Sequence, residues 1–331
     1  MREPGFWWRE PGAAAALLAP LGMLYGAVAG SRMRGSGAAA GVPVICVGNF
    51  TLGGSGKTPA VIAICELLRQ ADESPVCLTR GYGGSDAGPR LVDAHKDSAA
   101  EVGDEPLLIA RIAPTIVARD RVAGAEFARR QGASVIVMDD GLQNPSLKKD
   151  FTVAVVDARR GIGNSKVFPA GALRAPFDVQ IGACDALLIV GDGSGADNVA
   201  ASARSRKLPV WRARLEADAQ AVTDIKRPVL AFAGIGDPDK FFASVEALGL
   251  NIAGRRVFPD HHRFTAEDAA DLVMRADEQG LALITTEKDR ARMTGDPALA
   301  GLMERAHVLP VTMQIDEADE LEAALVKARR R

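Results

Sequence analysis

The chain carries an apolar, β-branched run, residues 42–47, that opens directly into Gly48-Asn-Phe-Thr-Leu-Gly-Gly-Ser-Gly-Lys-Thr58 and then into the helix-forming stretch 58–68. A buried strand, a glycine-rich turn and a helix in that order leave several backbone N–H groups pointing inward at a helix N-terminus, where the dipole favours anions. Thr51, Gly53, Gly54, Ser55 and Gly56 form the predicted cradle, the glycines permitting a tight turn and close approach of phosphate oxygens. Lys57 can reach the β- and γ-phosphates, and the Thr58 hydroxyl can ligate Mg²⁺. Thr51 departs from the usual pattern, which begins with glycine. Pro59 lacks an N–H, which costs little in a first helical turn. The setting predicts nucleotide binding with Mg²⁺.

The rest of the chain agrees with such a loop. Continuous apolar strands are predicted at 42–47, 75–79, 115–118, 134–138, 152–156 and 186–190, separated by amphipathic, helix-length segments. That pattern implies an α/β fold, a P-loop NTPase-type parallel sheet flanked by helices. After a polar, glycine-rich stretch a second, smaller βα series begins, with strands at 229–235 and 282–285 and helices near 239–247, 266–279 and 317–328. The expected domains are an N-terminal membrane-associated segment 1–35, a P-loop domain 36–220 and a smaller α/β domain 221–331. The strand 134–138 runs into Asp139 and Asp140. An acid at a strand end is how this kind of fold places a carboxylate beside Mg²⁺. Alone, the pair reads as a strand-end turn; beside the phosphate loop, as a metal site.

With 331 residues the chain is long enough for two domains, and a formal charge of −2 gives no reason to invoke nucleic acid. Cys46, Cys65, Cys77 and Cys184 form no CxxC pair, which points to a reducing compartment with neither disulfides nor a structural metal. The N-terminus stands apart. Residues 12–30 carry no charge, follow Phe6-Trp7-Trp8 and are flanked by Arg2, Arg9, Arg32 and Arg34 against Glu3 and Glu10. The chain also ends on Lys327, Arg329, Arg330 and Arg331. A helix in the bilayer interface, tryptophans at headgroup depth, fits better than a secretory signal or a span broken by Pro20. A buried helix of a soluble protein is the alternative. The segment is expected to tether the enzyme without entering the phosphate chemistry.

The motifs VGNFTLGGSGKTP (47–59), TRGYGG (79–84), VGDEP (102–106), RDR (119–121), MDDGLQN (138–144), PAGALRAP (169–176), FAGIGDPDKFF (232–242), FPDHHRFT (258–265) and TTEKDRARM (285–293) occur in this order. In that combination the chain closely resembles the tetraacyldisaccharide 4′-kinases, which phosphorylate the 4′-hydroxyl of a tetraacylated glucosamine disaccharide 1-phosphate in lipid A biosynthesis. The resemblance implies ATP and Mg²⁺, a lipid-linked disaccharide substrate, the cytoplasmic face of a bacterial inner membrane and no protein partner. It also implies roles: Lys57 and Thr58 for phosphate and metal, Asp139 and Asp140 around Mg²⁺, and Asp104 as base, helped by His261. Asn49, Tyr82, Arg119, Gln143 and Arg174 would line the sugar-phosphate and nucleotide region. Where the family usually reads LREP, this chain has Leu173-Arg174-Ala175-Pro176, so the ordering of Arg174 is open.

Without the resemblance several of these residues read otherwise. Asp104 heads an apolar helix, where aspartate is a preferred N-cap. His261 and His262 read as a surface pair, and Lys288 and Asp289 as an exposed helix start. Two other functions fit a phosphate loop. A GTPase or metallochaperone would need a guanine-reading NKxD, and none is present. A membrane-bound nucleotide switch would bind nucleotide and form no phosphorylated product.

Overall fold

The apolar runs form strands because each is buried on both faces. In the computed structural model, which describes residues 3–329, the strands are β1 (Val44–Gly48), β2 (Pro75–Thr79), β3 (Arg90–Leu91), β4 (Thr115–Val117), β5 (Val135–Asp139), β6 (Phe151–Asp157) and β7 (Ala186–Val190). They continue as β8 (Val210–Ala217), β9 (Val229–Ala233), β10 (Ile252–Val257), β11 (Ala282–Thr286), β12 (Ala306–Leu309) and β13 (Val311–Ile315). Arg2, Arg330 and Arg331 lie outside the described residues.

Nine strands make one sheet in the order β13-β8-β7-β6-β1-β5-β2-β4-β3, and four make a second in the order β10-β9-β11-β12. The large sheet is parallel except at its two margins, where β13 and β3 run antiparallel to their neighbours. Parallel strands need crossover connections, and the helices supply them on both faces. The strands unforeseen from sequence (β3, β8, β10, β12 and β13) include the margins of both sheets. β10, for instance, reads IAGRRV and is mostly exposed, so it lacks the apolar run of a central strand.

The chain end differs from expectation. Residues beyond β12 were expected with the smaller unit, but β13 pairs with β8 and the last helix (Ala318–Arg329) packs on the large sheet. Leu321, Leu325 and Ala328 meet Ile64, Cys65 and Leu68 of the phosphate-loop helix in one core. Burying that apolar stripe gives the chain end more than solvent would.

The first long helix, α1 (Ala13–Met33), lies against the body along a stripe of Gly22, Gly26 and Gly30. At Gly22 a Cβ would come within 2.7 Å of the Val167 carbonyl oxygen, so only glycine allows the approach. The arm before it is seated too: Trp7 is buried and its indole N–H donates to the Pro169 carbonyl at 3.1 Å. The opposite side of α1 leaves Leu17, Leu21, Met23, Leu24 and Val28 exposed.

Candidate functional site

Register brings the polar strand ends together. Val47 of β1 lies beside Asp139 of β5, and Leu78 of β2 beside Met138, so the glycine loop, Asp139 and Thr79 share the carboxyl edge of the sheet. The loop's first half is pinned from below. The Thr51 carbonyl accepts from Asn49 Nδ2 at 2.8 Å and Arg174 Nε at 2.9 Å, and the Leu52 N–H donates to Ala172. From Lys57 the chain is helix (Lys57–Gln70). The hydroxyl of Ser55 is buried and has no partner, as in a cradle shaped for an anion.

Below the loop lies a charged cluster. Lys57 Nζ stands 3.7 Å from Asp140, which also takes Arg174 Nη1 on both oxygens at 3.0 and 2.9 Å. Burial pushes the Asp140 carboxyl up, but Lys57 and Arg174 outweigh it and hold it at about 2. Burial also lowers Lys57, against the pull of Asp140. Among the described residues Asp139 makes no direct ion pair, and Lys57 only partly offsets its surroundings. Burial, with Glu105 and Asp140 nearby, raises it to about 7, although Thr79 Oγ1 donates to its Oδ2 at 2.9 Å. Its Oδ1 is buried without a partner. Arg174 is thus ordered by Asp140 and the Thr51 carbonyl, with no acid needed at the buried Ala175.

The second sheet forms the opposite wall of the same cleft. Asp104 is the first residue of the helix Asp104–Ala110, but its carboxylate caps nothing; the position before it is Gly103. Instead Asp104 Oδ2 accepts from Arg292 Nε at 2.7 Å and lies 3.5 Å from His261 Nδ1. Burial raises its pKa, yet the bond from His261 and the Arg292 charge leave it well below the usual carboxylate range. The same bond raises His261 above its ordinary 6.5. His262 faces away, stacked on Phe258 at 4.7 Å and bonded to Asp268 at 2.9 Å. The neighbouring Glu105 takes the Thr58 hydroxyl at 3.0 Å and Lys288 Nζ at 2.6 Å.

The cleft between the walls has a volume of about 1700 Å³ and is lined by Gly53–Thr58, Asp139, Asp140, Tyr82, Gln143, Arg174 and His261, among others. Three expected contacts fall elsewhere. Asn49 is fully buried under the loop, and Thr51 is its anchor, so both brace the cradle and do not face the cleft. Arg119 lines an adjoining hollow of about 230 Å³ with Arg80 and Tyr82, donating to the Ser85 carbonyl at 3.2 Å. Asp289, expected on an exposed helix start, is completely buried and accepts the Gly234 N–H at 3.1 Å. Glu105, Lys288 and Arg292 were not foreseen as a group. Their only signal was polar residues on segments that turn out to face another unit.

The arm expected only to tether also lines this cleft, through Glu3, Pro4, Phe6 and Trp7. Trp8 Nε1 and Arg160 Nη1 each donate to Glu3 Oε2 at 3.0 Å.

Residues 14–330 match the model of a family described as tetraacyldisaccharide-1-P 4′-kinase. The tetraacyldisaccharide 4′-kinase of Rhodopseudomonas palustris strain BisB5 is 54% identical over 99% of this chain and 96% of its own. That of Methylobacterium nodulans is 55% identical over 99% and 95%. Among solved structures, an LpxK from Aquifex aeolicus in complex with ATP superposes with a TM-score of 0.72 at 25% identity, covering 95% of this chain and 99% of its own.

Proposed function

The chain belongs to the tetraacyldisaccharide-1-P 4′-kinase family, and from that premise we propose how its cleft performs the family's reaction. The enzyme phosphorylates the 4′-hydroxyl of a tetraacyldisaccharide 1-phosphate at the expense of ATP, a step of lipid A biosynthesis. One observation carries the assignment of roles: the glycine loop and His261, itself paired with the buried Asp104, line one cleft.

Phosphoryl transfer passes through a loose transition state, so positioning and charge neutralisation dominate. The N–H groups of Gly53–Lys57 hold the phosphates, Lys57 sets its charge against them, and Ser55 supplies a hydroxyl that has no other partner. The acceptor hydroxyl is placed beside the Asp104–His261 pair, where Asp104 receives its proton or passes it to His261. Lys288 and Arg292 hold Asp104 and Glu105 to the smaller sheet, so both walls must be together for the site to be complete.

The residues at the strand ends fit Mg²⁺. Asp139 keeps a buried, unpartnered oxygen and is destabilised as an anion by burial and by two neighbouring carboxylates, which a divalent cation would relieve. The described residues form no ready-made cage of three ligands, as suits an ion that keeps waters and is completed by substrate phosphates. Asp139 and the Thr58 hydroxyl would hold it, with Asp140 close by; bound there, it neutralises charge developing on the phosphates. Asp139→Asn and Asp140→Asn should each raise the Mg²⁺ concentration for half-maximal rate by about 10–100-fold or remove activity. Unchanged Mg²⁺ dependence in both would move the metal site elsewhere.

The same reading places the enzyme on the cytoplasmic face of a bacterial inner membrane, with α1 lying in the interface. Its 21 residues span about 31 Å, but its glycine stripe is committed to the folded body along its length. A helix packed lengthwise on a soluble body suits the interface better than a crossing. Changing Leu17, Leu21, Leu24 and Val28 to serine should leave nucleotide binding intact, because these side chains are exposed. At roughly 1.5 kcal/mol or more per apolar side chain, binding to anionic vesicles should fall on the order of 10⁴-fold. Equal co-sedimentation of variant and parent would remove the tether.

A further inference from the structure

The contact between the arm and the phosphate loop is built, not incidental. A Cβ on Gly53, which sits at φ 98°, would lie 1.9 Å from Glu3 Oε1; the carboxylate occupies the place that glycine leaves free. Arg160, which donates to the same carboxylate, also lies 3.4 Å from Asp237, and its guanidinium sits 5.1 Å over the Trp8 ring. Asp237 immediately precedes the helix Pro238–Ala247 of the smaller unit. One carboxylate therefore joins the arm, the glycine loop and the far wall of the cleft.

The position matters because of what braces the loop elsewhere. The Thr51 carbonyl is held by Asn49 and Arg174, the Leu52 N–H by Ala172, and Lys57 begins a helix, whereas nothing comes within 4 Å of where a side chain on Gly54 would start. Glu3 meets this span at Gly53, while Val190 and Met313 meet it at Gly56. A carboxylate beside a phosphate cradle is unfavourable for binding ATP in its ground state. Burial in this site disfavours the ionised form, and Arg160 and the Trp8 bond only partly offset it. A group that opposes ground-state binding, yet is held by two donors and a close backbone approach, has the character of one that acts on geometry.

Resting on the phosphate-loop reading above, we infer that Glu3 is a positioning residue of the transfer step. It holds Gly53–Ser55 and Arg160 in the arrangement the transferred phosphoryl group needs, and so makes the membrane-proximal arm part of the active site. The predicted signature is a split: loss of the carboxylate lowers kcat and also lowers KM for ATP, as when ground-state strain is removed.

The test uses full-length protein and tetraacyldisaccharide 1-phosphate in phosphatidylglycerol-containing vesicles, comparing Glu3→Gln, Glu3→Ala, Arg160→Gln and the Glu3→Gln/Arg160→Gln double variant. Each single variant should lose about tenfold or more in kcat, the scale of a misplaced reacting group. The Glu3 variants should show an unchanged or lower KM for ATP, and the double variant should be little worse than either single one. Vesicle co-sedimentation of Glu3→Gln should match the parent. Parental kcat in Glu3→Gln, a raised KM, or loss of vesicle binding that accounts for the whole effect would overturn the inference. Lys57→Ala runs alongside: an inactive Lys57→Ala with an unaffected Glu3→Gln sinks only the role of Glu3. A fully active Lys57→Ala removes the phosphate-loop reading and this inference with it.

Discussion

Lys57→Ala is expected to lower kcat by at least about 10²–10³-fold, the scale of removing a charge or donor aimed at the transition state. The fold should survive. Lys57 Nζ makes its one short ion contact, 3.7 Å, with Asp140, and Arg174 keeps that aspartate paired on both oxygens when the lysine is gone. Burial disfavours the charged lysine, with Asp140 pulling the other way. Steady-state kinetics with the lipid acceptor, beside a thermal melt, would separate the effects. A near-parental rate would withdraw the assignment of the loop.

Asp104→Asn is expected to cost about 10²–10⁴ in kcat, the usual contribution of a positioned acid or base. KM for ATP should change far less, as expected for a group that acts in the transfer step and is not among the residues lining the phosphate cradle. Asparagine is the informative replacement. Alanine would leave Arg292, whose side chain is 5% exposed, with Asp289 as its remaining anion, adding a stability loss that asparagine avoids in part. A variant that merely melted earlier at full kcat would make Asp104 structural. His261→Ala should act in the same direction, and the pair should be less than additive if the two work as a unit. The coupling has its own readout. The bond to Asp104 favours charged His261, so its titration midpoint should lie above 6.5 and fall when Asp104 becomes asparagine. An NMR titration of the ring in both proteins checks that sign.

Much of this enzyme was legible in one dimension because its strongest signals are local. The phosphate loop needs a strand, glycines and a helix start in direct succession. The acids at 139 and 140 follow an apolar strand, and the central strands are continuous apolar runs because both faces are buried. Adjacent backbone geometry and burial dictate those patterns, so no tertiary information is required. Marginal strands carry no such requirement. β10 and β13 are half-exposed, and the return of β13 to the large sheet depends on pairing with β8, nearly a hundred residues away.

The site divides along the same line. Lys57, Thr58 and Asp139 were proposed from their neighbours, and Asp104 and His261 from a family resemblance, although each of the latter alone looked like a cap or a surface side chain. Asn49 and Thr51 were misplaced because a polar residue beside a phosphate loop can face the ligand or brace the backbone, and sequence does not distinguish them. Glu105, Lys288, Arg292 and the meeting of Glu3 with Arg160 and Gly53 exist only in three dimensions. Each joins segments between about fifty and nearly two hundred residues apart. The sequence by itself determined the nucleotide chemistry and the sheet that carries it, because backbone geometry and apolar burial act between neighbours. The tertiary structure alone decided which charges face one another across the cleft, because an ion pair depends on where the folded chain returns.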